Sequence, residues 1–435
     1  MKRIGIFIKI LLTLVVSFCV IFSGINQEVK KVSAEEENGY SINELLEPIW
    51  EGEISYQESV LPVMGESNSL LPIKMLYPIK KIVKVQNASL TITYQENVDY
   101  IIHEGELLIL RDGNIPIMMH REFYPAVGQS GFEARGGGYV CFSEGDYFHA
   151  RQIVVTYTHK AVYNGYKPEN KAHLLKNIHA KIANKEAINL FVFGDSISVG
   201  GNASGFLGVA PYLPTYPELF AEGIRQTYGV EVNIRNASVG GKNSIWGAQT
   251  IESALNETED VDLAIVAFGM NDGNMSGTTF ATNIEYIISK IQEKYLDADL
   301  LMVATMLPNY DAIKFYGNQE IFHTFLEDLE KESIALVNMT KVHASLLERK
   351  KFADMTGNNV NHANDYMSRV YAQTLLEALS GKSEEEEKNS AVQSDSNKIT
   401  DFLTNCNSSL SVLGCIGILC GVAAIQMYKK EDNES

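Results

Sequence analysis

The sequence predicts an α/β fold: a three-layer parallel sheet with helices on both faces, preceded by an all-β region of sandwich or jelly-roll type. Three observations carry this expectation. From Ala187 to about Gly381, apolar runs of strand length alternate with stretches of helical length. The first run, Ile188 to Phe193, stops abruptly at Gly194-Asp195-Ser196, as a buried parallel strand does when it ends in a tight turn. Ahead of it, residues from about 42 to 160 show short alternating segments separated by turn signals.

The chain has 435 residues, enough for two domains. The N-terminus has a positive region (Lys2, Arg3, Lys9), an apolar stretch from Ile10 to Phe22 and small residues at Val32-Ser33-Ala34. That pattern is a secretory signal peptide over residues 1–34, cleaved before Glu35. Near the other end, no charge occurs between Asp401 and Lys429. Residues 409–428 are nearly all apolar or small, close to the ~20 residues that span a bilayer. Lys429 and Lys430 follow, which sets the tail 429–435 on the cytoplasmic side. Residues 382–408, rich in Glu, Ser and Asn, read as a flexible polar stalk. The expectation is a single-pass cell-membrane protein with an extracellular catalytic body.

The net charge of -18 argues against nucleic acid as a partner, because phosphate binding needs clustered Lys and Arg. Of the five cysteines, Cys19 falls in the signal and Cys406, Cys415 and Cys420 fall at or in the span. Cys141 is left alone in the exported body, so no disulfide framework and no CxxC metal site is available. Export without disulfides fits a bacterium, here a Gram-positive one.

In the β region (42–160), Ala88–Tyr94 and Gln152–Thr158 alternate, and Leu107–Leu110 is a short apolar run bounded by turn signals. Gly136-Gly137-Gly138 reads as a loop, since no phosphate-binding helix follows it. The region fits a carbohydrate-binding module, a spacer or a lid. Residues 161–186 connect it to the next domain through an expected helix over Asn170–Glu186, with His173 and His179 on its surface. In the α/β domain (187–381) the expected strands are Ile188–Phe193, Val230–Ile234, Asp262–Phe268, Leu300–Thr305 and Ala335–Val337. The expected helices are Tyr216–Tyr228, Trp246–Leu255, Phe280–Lys294, Gln319–Lys331 and Asp365–Leu379.

Ser196 is the candidate nucleophile, because open α/β sheets gather their chemistry at the carboxyl ends of strands. Three later loops could serve it. Asn236-Ala237-Ser238-Val239-Gly240-Gly241 supplies glycines whose N–H groups can face an oxyanion. Gly269-Met270-Asn271-Asp272 puts an amide at the end of a very apolar strand. Gly357-Asn358-Asn359-Val360-Asn361-His362 brings a histidine just before the last helix. Gly194-Asp195-Ser196-Ile197-Ser198 is not the Gly-x-Ser-x-Gly elbow, and Gly241-Lys242-Asn243 misses the P-loop. The loop before His362 lacks clustered ionised ligands, so neither a metal nor a cofactor is expected.

These four blocks, in this order, resemble the GDSL/SGNH hydrolases over roughly Ala187 to Gly381. The resemblance implies a flavodoxin-like hydrolase domain and acyl transfer from an ester. It implies Ser196 as nucleophile and His362 as general base. The oxyanion hole would be the N–H groups of Ser196 and Gly241, with Gly240 the neighbouring candidate, and the Asn271 amide. The family usually places Asp three residues before its histidine; Asn359 stands there instead. Asn359 could present its carbonyl oxygen to the ring, or a main-chain carbonyl could orient it and leave a Ser–His dyad. The expected substrate is an acetyl or other short acyl ester on a carbohydrate. The alternatives are a catalytically weak or dead carbohydrate-binding surface protein, favoured by Asn359, and a glycan O-acyltransferase.

Overall fold

The structure is a computed structural model that describes residues 39–128 and 131–380. The expected signal peptide (1–34), stalk (382–408), membrane span (409–428) and tail (429–435) lie outside the described residues. Among the described residues no helix is long and apolar enough to cross a membrane.

The N-terminal part begins with helix α1 (Ile42–Leu46) and strands β1 (Ile54–Val60), β2 (Lys81–Asn87), β3 (Tyr100–His103), β4 (Glu106–Ile109), β5 (Phe132–Glu133), β6 (Tyr139–Val140) and β7 (Ile153–Thr158). These strands pair antiparallel: β7 lies between β1 and β2, while β3–β4 and β5–β6 form separate two-stranded ladders. Along β7, Ile153, Val155 and Tyr157 are buried and the residues between them are half-buried, the period-two signature of a strand. The alternating stretch Ala88–Tyr94, expected as a strand, instead folds back as a turn. Asn87 accepts the Ile92 N–H on its side-chain oxygen at 2.9 Å, and Leu90 takes a positive φ of 58°. This Asx-type turn returns the chain onto the end of β2, where Asn87 N–H donates to Ile92 O at 3.1 Å and Tyr94 N–H to Val85 O at 2.8 Å, and leaves the Ile92 side chain exposed.

The second part runs α2 (Lys176–Ala183), β8 (Ile188–Gly194), α3 (Ser196–Val199), α4 (Tyr216–Tyr228), β9 (Val232–Asn236), α5 (Ser244–Asn256), β10 (Leu263–Ala267), α6 (Gly277–Lys294), β11 (Asp299–Ala304), α7 (Phe322–Glu327), β12 (Ile334–Asn338), α8 (Met339–Leu347) and α9 (Asp365–Leu379). The sheet is parallel in the order β12-β11-β10-β8-β9. This is the doubly wound order that reverses beside its first strand and opens a crevice at the strands' carboxyl ends.

Three local expectations differ from the structure. The helix expected over Asn170–Glu186 forms only as α2, with Leu175 as its N-cap; His179 is half-buried, and burial lowers its pKa. In place of one helix over Gln319–Lys331, a 3-10 turn (Asn318–Ile321) precedes the short α7. There the buried Gln319 amide donates to the Met270 and Phe315 carbonyls, which pins the turn. Helix α8 was not expected; the Asn338 side chain caps it by accepting from Lys341 N.

Alternate residues of each central strand serve opposite faces. Ile188, Leu190 and Val192 of β8 pack with Leu219, Phe220 and Ile224 of α4 and with α9. Phe191 and Phe193 pack with Ile251 of α5 and Ile284 of α6 on the other face. The first of these cores does not stop at the α/β part. It continues without a break through Val85, Val155 and Tyr157 of the N-terminal sheet and through Ile42 and Leu45 of α1. A buried ion pair reinforces the joint: Lys350 Nζ lies 2.6 Å from Glu58 Oε1 with both side chains fully buried. Glu58 also accepts from Tyr157 Oη and Leu76 N, and Lys350 donates to Ser59 O.

Candidate active site

Strand β8 ends at Gly194, where no side chain fits. A Cβ there would come within 2.5 Å of both the Ala267 carbonyl oxygen and Ser198 Oγ. The chain then turns, and Asp195 caps the single-turn helix α3 by accepting Ile197 N–H at 3.0 Å. This fixes Ser196 at the first helical position. Asp195 is buried, and burial pushes its carboxyl up to about 7.

The neighbouring loops are tied to this turn and to each other. Asn236, at the end of β9, donates to Ser198 O at 2.8 Å and accepts from Ser238 N. Gly241 has a φ of 72°, a backbone region suited to glycine. Asp272 accepts from the N–H and hydroxyl of Ser244, while Asn271 donates one amide hydrogen to Lys242 O at 2.9 Å. The block after β9 and the block after β10 are thereby held side by side.

His362 sits in a loop built by Asn358. The Asn358 side-chain oxygen accepts the N–H groups of Val360, Asn361 and His362 at 3.0, 3.0 and 3.1 Å. The imidazole Nε2 lies 2.8 Å from Ser196 Oγ. Its Nδ1 lies 2.5 Å from Asn202 Oδ1 and 3.3 Å from Glu144 Oε2. A Cβ on Gly201 would sit 3.1 Å from two ring atoms of His362, so glycine lets the ring lie against this backbone. Asn202 donates its amide to Gly145 O at 3.0 Å, which turns its oxygen toward the histidine. With acceptors facing Nδ1, the proton belongs there, and Nε2 is left to accept from the serine hydroxyl.

Asn359, one of the two groups considered for orienting the histidine, makes no hydrogen bond to the ring, whose Nδ1 meets Asn202 instead. Its amide donates to Cys141 O at 3.1 Å, and its backbone takes a positive φ of 63° in the tight turn that Asn358 organises. Asn202 and Glu144 occupy the place it was expected to fill. Asn202 follows Ser196 by six residues, behind Gly200-Gly201; that pair of glycines was its available signal. Glu144 comes from the N-terminal part, and nothing in its local sequence marks it.

Ser196, Gly240, Gly241, Asn271 and His362 all line one open cavity of about 500 Å³. Its wall includes Phe132 and Phe142 from the N-terminal part and Phe315 from the loop after β11. Phe132 meets the other two rings edge-on, at 5.1 and 6.1 Å. Trp246 is tilted against Phe193 and Phe268 and belongs to the core of the second face. Among the described residues no group of three or more His, Cys, Asp or Glu could hold a metal ion.

Residues 192–369 match the family model of the GDSL-like lipase/acylhydrolases. Among solved structures, the chain is similar to a two-domain esterase active on acetylated mannans, co-crystallised with mannopentaose. The identity is 22%, covering 50% of this chain and 55% of that one, with a TM-score of 0.38. This chain therefore spans about half the length of that esterase. It is also similar to an acetyl xylan esterase, at 19% identity over 44% of this chain and 100% of that one, TM-score 0.36. A lipase from a goat rumen metagenome matches at 13% identity over 44% of this chain and 97% of that one, TM-score 0.36. The sequence matches no curated protein. The family match begins inside β8 and ends inside α9, and so encloses Ser196, Asn271 and His362 together: residues 192–369 are a GDSL-like lipase/acylhydrolase domain.

Proposed function

We propose that the protein is a serine ester hydrolase that removes acetyl or other short acyl groups from a carbohydrate. The 2.8 Å contact between Ser196 Oγ and His362 Nε2, inside an open cavity, carries this reading. As Oγ attacks the ester carbonyl, His362 Nε2 takes its proton. The developing oxyanion is held by the N–H groups of Ser196 and Gly241 and by the second amide hydrogen of Asn271. As the bond from the acyl carbon to the sugar oxygen breaks, His362 gives its proton to that oxygen, which leaves as a hydroxyl, and an acyl-serine remains. Water enters, His362 removes one of its protons, and the hydroxide adds to the acyl carbon. Collapse releases the carboxylic acid and returns the proton to Ser196.

The carbohydrate assignment rests on export, on the added N-terminal part and on the aromatic wall, which can face a sugar ring. We place the enzyme outside the cell, exported by residues 1–34 and held by residues 409–428, on the sequence pattern of those segments. The test is turnover of p-nitrophenyl acetate, longer p-nitrophenyl esters and an acetylated polysaccharide by the full chain and by Ser196→Ala. The substitution is expected to lower kcat at least about 10³-fold. Unchanged turnover would overturn the hydrolase reading. Tight glycan binding with negligible turnover would mark a binding protein, and acyl transfer to sugar in preference to water would mark an acyltransferase.

A further inference from the structure

We propose that Glu144 is the carboxylate of this active site, a positioning residue that acts on His362 from the N-terminal part of the chain while Asn202 holds the imidazole tautomer. The proposal rests on the hydrolase reading and deepens it.

Two tasks fall to the partner of a catalytic histidine: to fix the ring with its proton on Nδ1, and to stabilise the cation that forms when Nε2 gains a proton. Asn202 performs the first, through its oxygen at 2.5 Å. Being neutral, it does little for the second. Glu144 brings a carboxylate oxygen to 3.3 Å from the same nitrogen. The two groups are mechanically joined, because Asn202 donates to the carbonyl of Gly145, the residue after Glu144. The other carboxylate oxygen accepts from Asn358 Nδ2 at 3.2 Å, so Glu144 is also tied to the loop that carries His362.

Burial disfavours ionisation of Glu144, but the hydrogen bond and charge interaction with His362, with hydrogen bonds from Asn358 and Asn202, outweigh it and hold the carboxyl below its ordinary range. Glu144 is therefore charged at neutral pH. Asp195, buried on the Ser196 turn, also interacts with the charge of His362, but its carboxylate faces Ile197 N and caps α3. The Glu144 side chain is 53% exposed, so water screens part of its pull.

The test compares Glu144→Gln and Glu144→Asp with the native full chain on p-nitrophenyl acetate across pH, with Ser196→Ala beside them. Replacing the Asp of a serine protease triad by Asn costs about 10⁴ in rate, with the imidazole held in the wrong tautomer. Because Asn202 still holds the tautomer here, Glu144→Gln is expected to lower kcat about 10- to 100-fold with KM little changed. The acidic limb of its kcat/KM profile should move to lower pH, since removing a nearby negative charge disfavours the imidazolium. Glu144→Asp, which keeps the charge, should recover part of the loss and return the limb toward its native position. Native kcat and an unmoved acidic limb in Glu144→Gln, or a loss that Glu144→Asp does not relieve, overturns the proposal. If Ser196→Ala silences the enzyme while Glu144→Gln matches native, the role of Glu144 falls and the hydrolase reading stands. If Ser196→Ala changes nothing, the hydrolase reading falls.

Discussion

Asn271 uses one amide hydrogen on the Lys242 carbonyl and keeps the other for the cavity. The first bond sets the direction of the second. Replacing Asn271 with Ala should therefore lower kcat about 10²- to 10³-fold with KM nearly unchanged, measured on a short acyl ester. An equal rise in KM with kcat intact would assign the amide to ground-state binding. At this scale, legibility follows topology. Ser196 and Asn271 stand directly after strands and His362 just before the last helix, so chain order alone brings them to one edge of the sheet. Asn359 misleads because spacing from a histidine carries no information about backbone conformation. The turn at Asn359 sends its amide to Cys141. Glu144 is illegible for the opposite reason: its contact spans more than 200 residues, and no local pattern encodes that.

The element that bears Ser196 is one turn long, too short to be stable alone. Asp195 holds it, and does so while buried with its carboxyl pushed up to about 7. A raised folded-state pKa contributes stability below the unfolded value and loses it as pH rises through the folded one. Asp195→Asn keeps an acceptor for Ile197 N and removes the titration. The variant's Tm minus the native Tm should then grow as pH rises from about 4 to about 7. A difference independent of pH would show that Asp195 does not titrate in that window. The long elements of this part were readable from their patterns: β8 as a mostly apolar run and β10 as an unbroken one, α4 and α9 as amphipathic stretches. Ala88–Tyr94 has the period of a strand, but the turn set by the side chain of Asn87 takes up its first half, so only its end pairs, back onto β2.

For the molecule as a whole, the pair Glu58–Lys350 joins β1 to the segment after α8 with no exposure to water. Breaking a buried pair by neutralising one member leaves the other charge uncompensated. Glu58→Gln should lower unfolding stability by about 3–5 kcal/mol, read from urea denaturation. Because one core runs through both parts of the chain, the loss should appear as a shift of a single transition. Two separated transitions would show that the parts unfold independently. That shared core was not legible, because a hydrophobic pattern states that a face is buried but not against what. The stretch 142–145 carries a further consequence. Phe142 lines the cavity, Glu144 reaches the histidine and the Gly145 carbonyl steadies Asn202, all within four residues. The cavity wall and the bracing of His362 thus share the same few positions. A substitution that reshapes the cavity wall at Phe142 therefore also disturbs the segment that braces His362, so wall and histidine cannot be tuned separately.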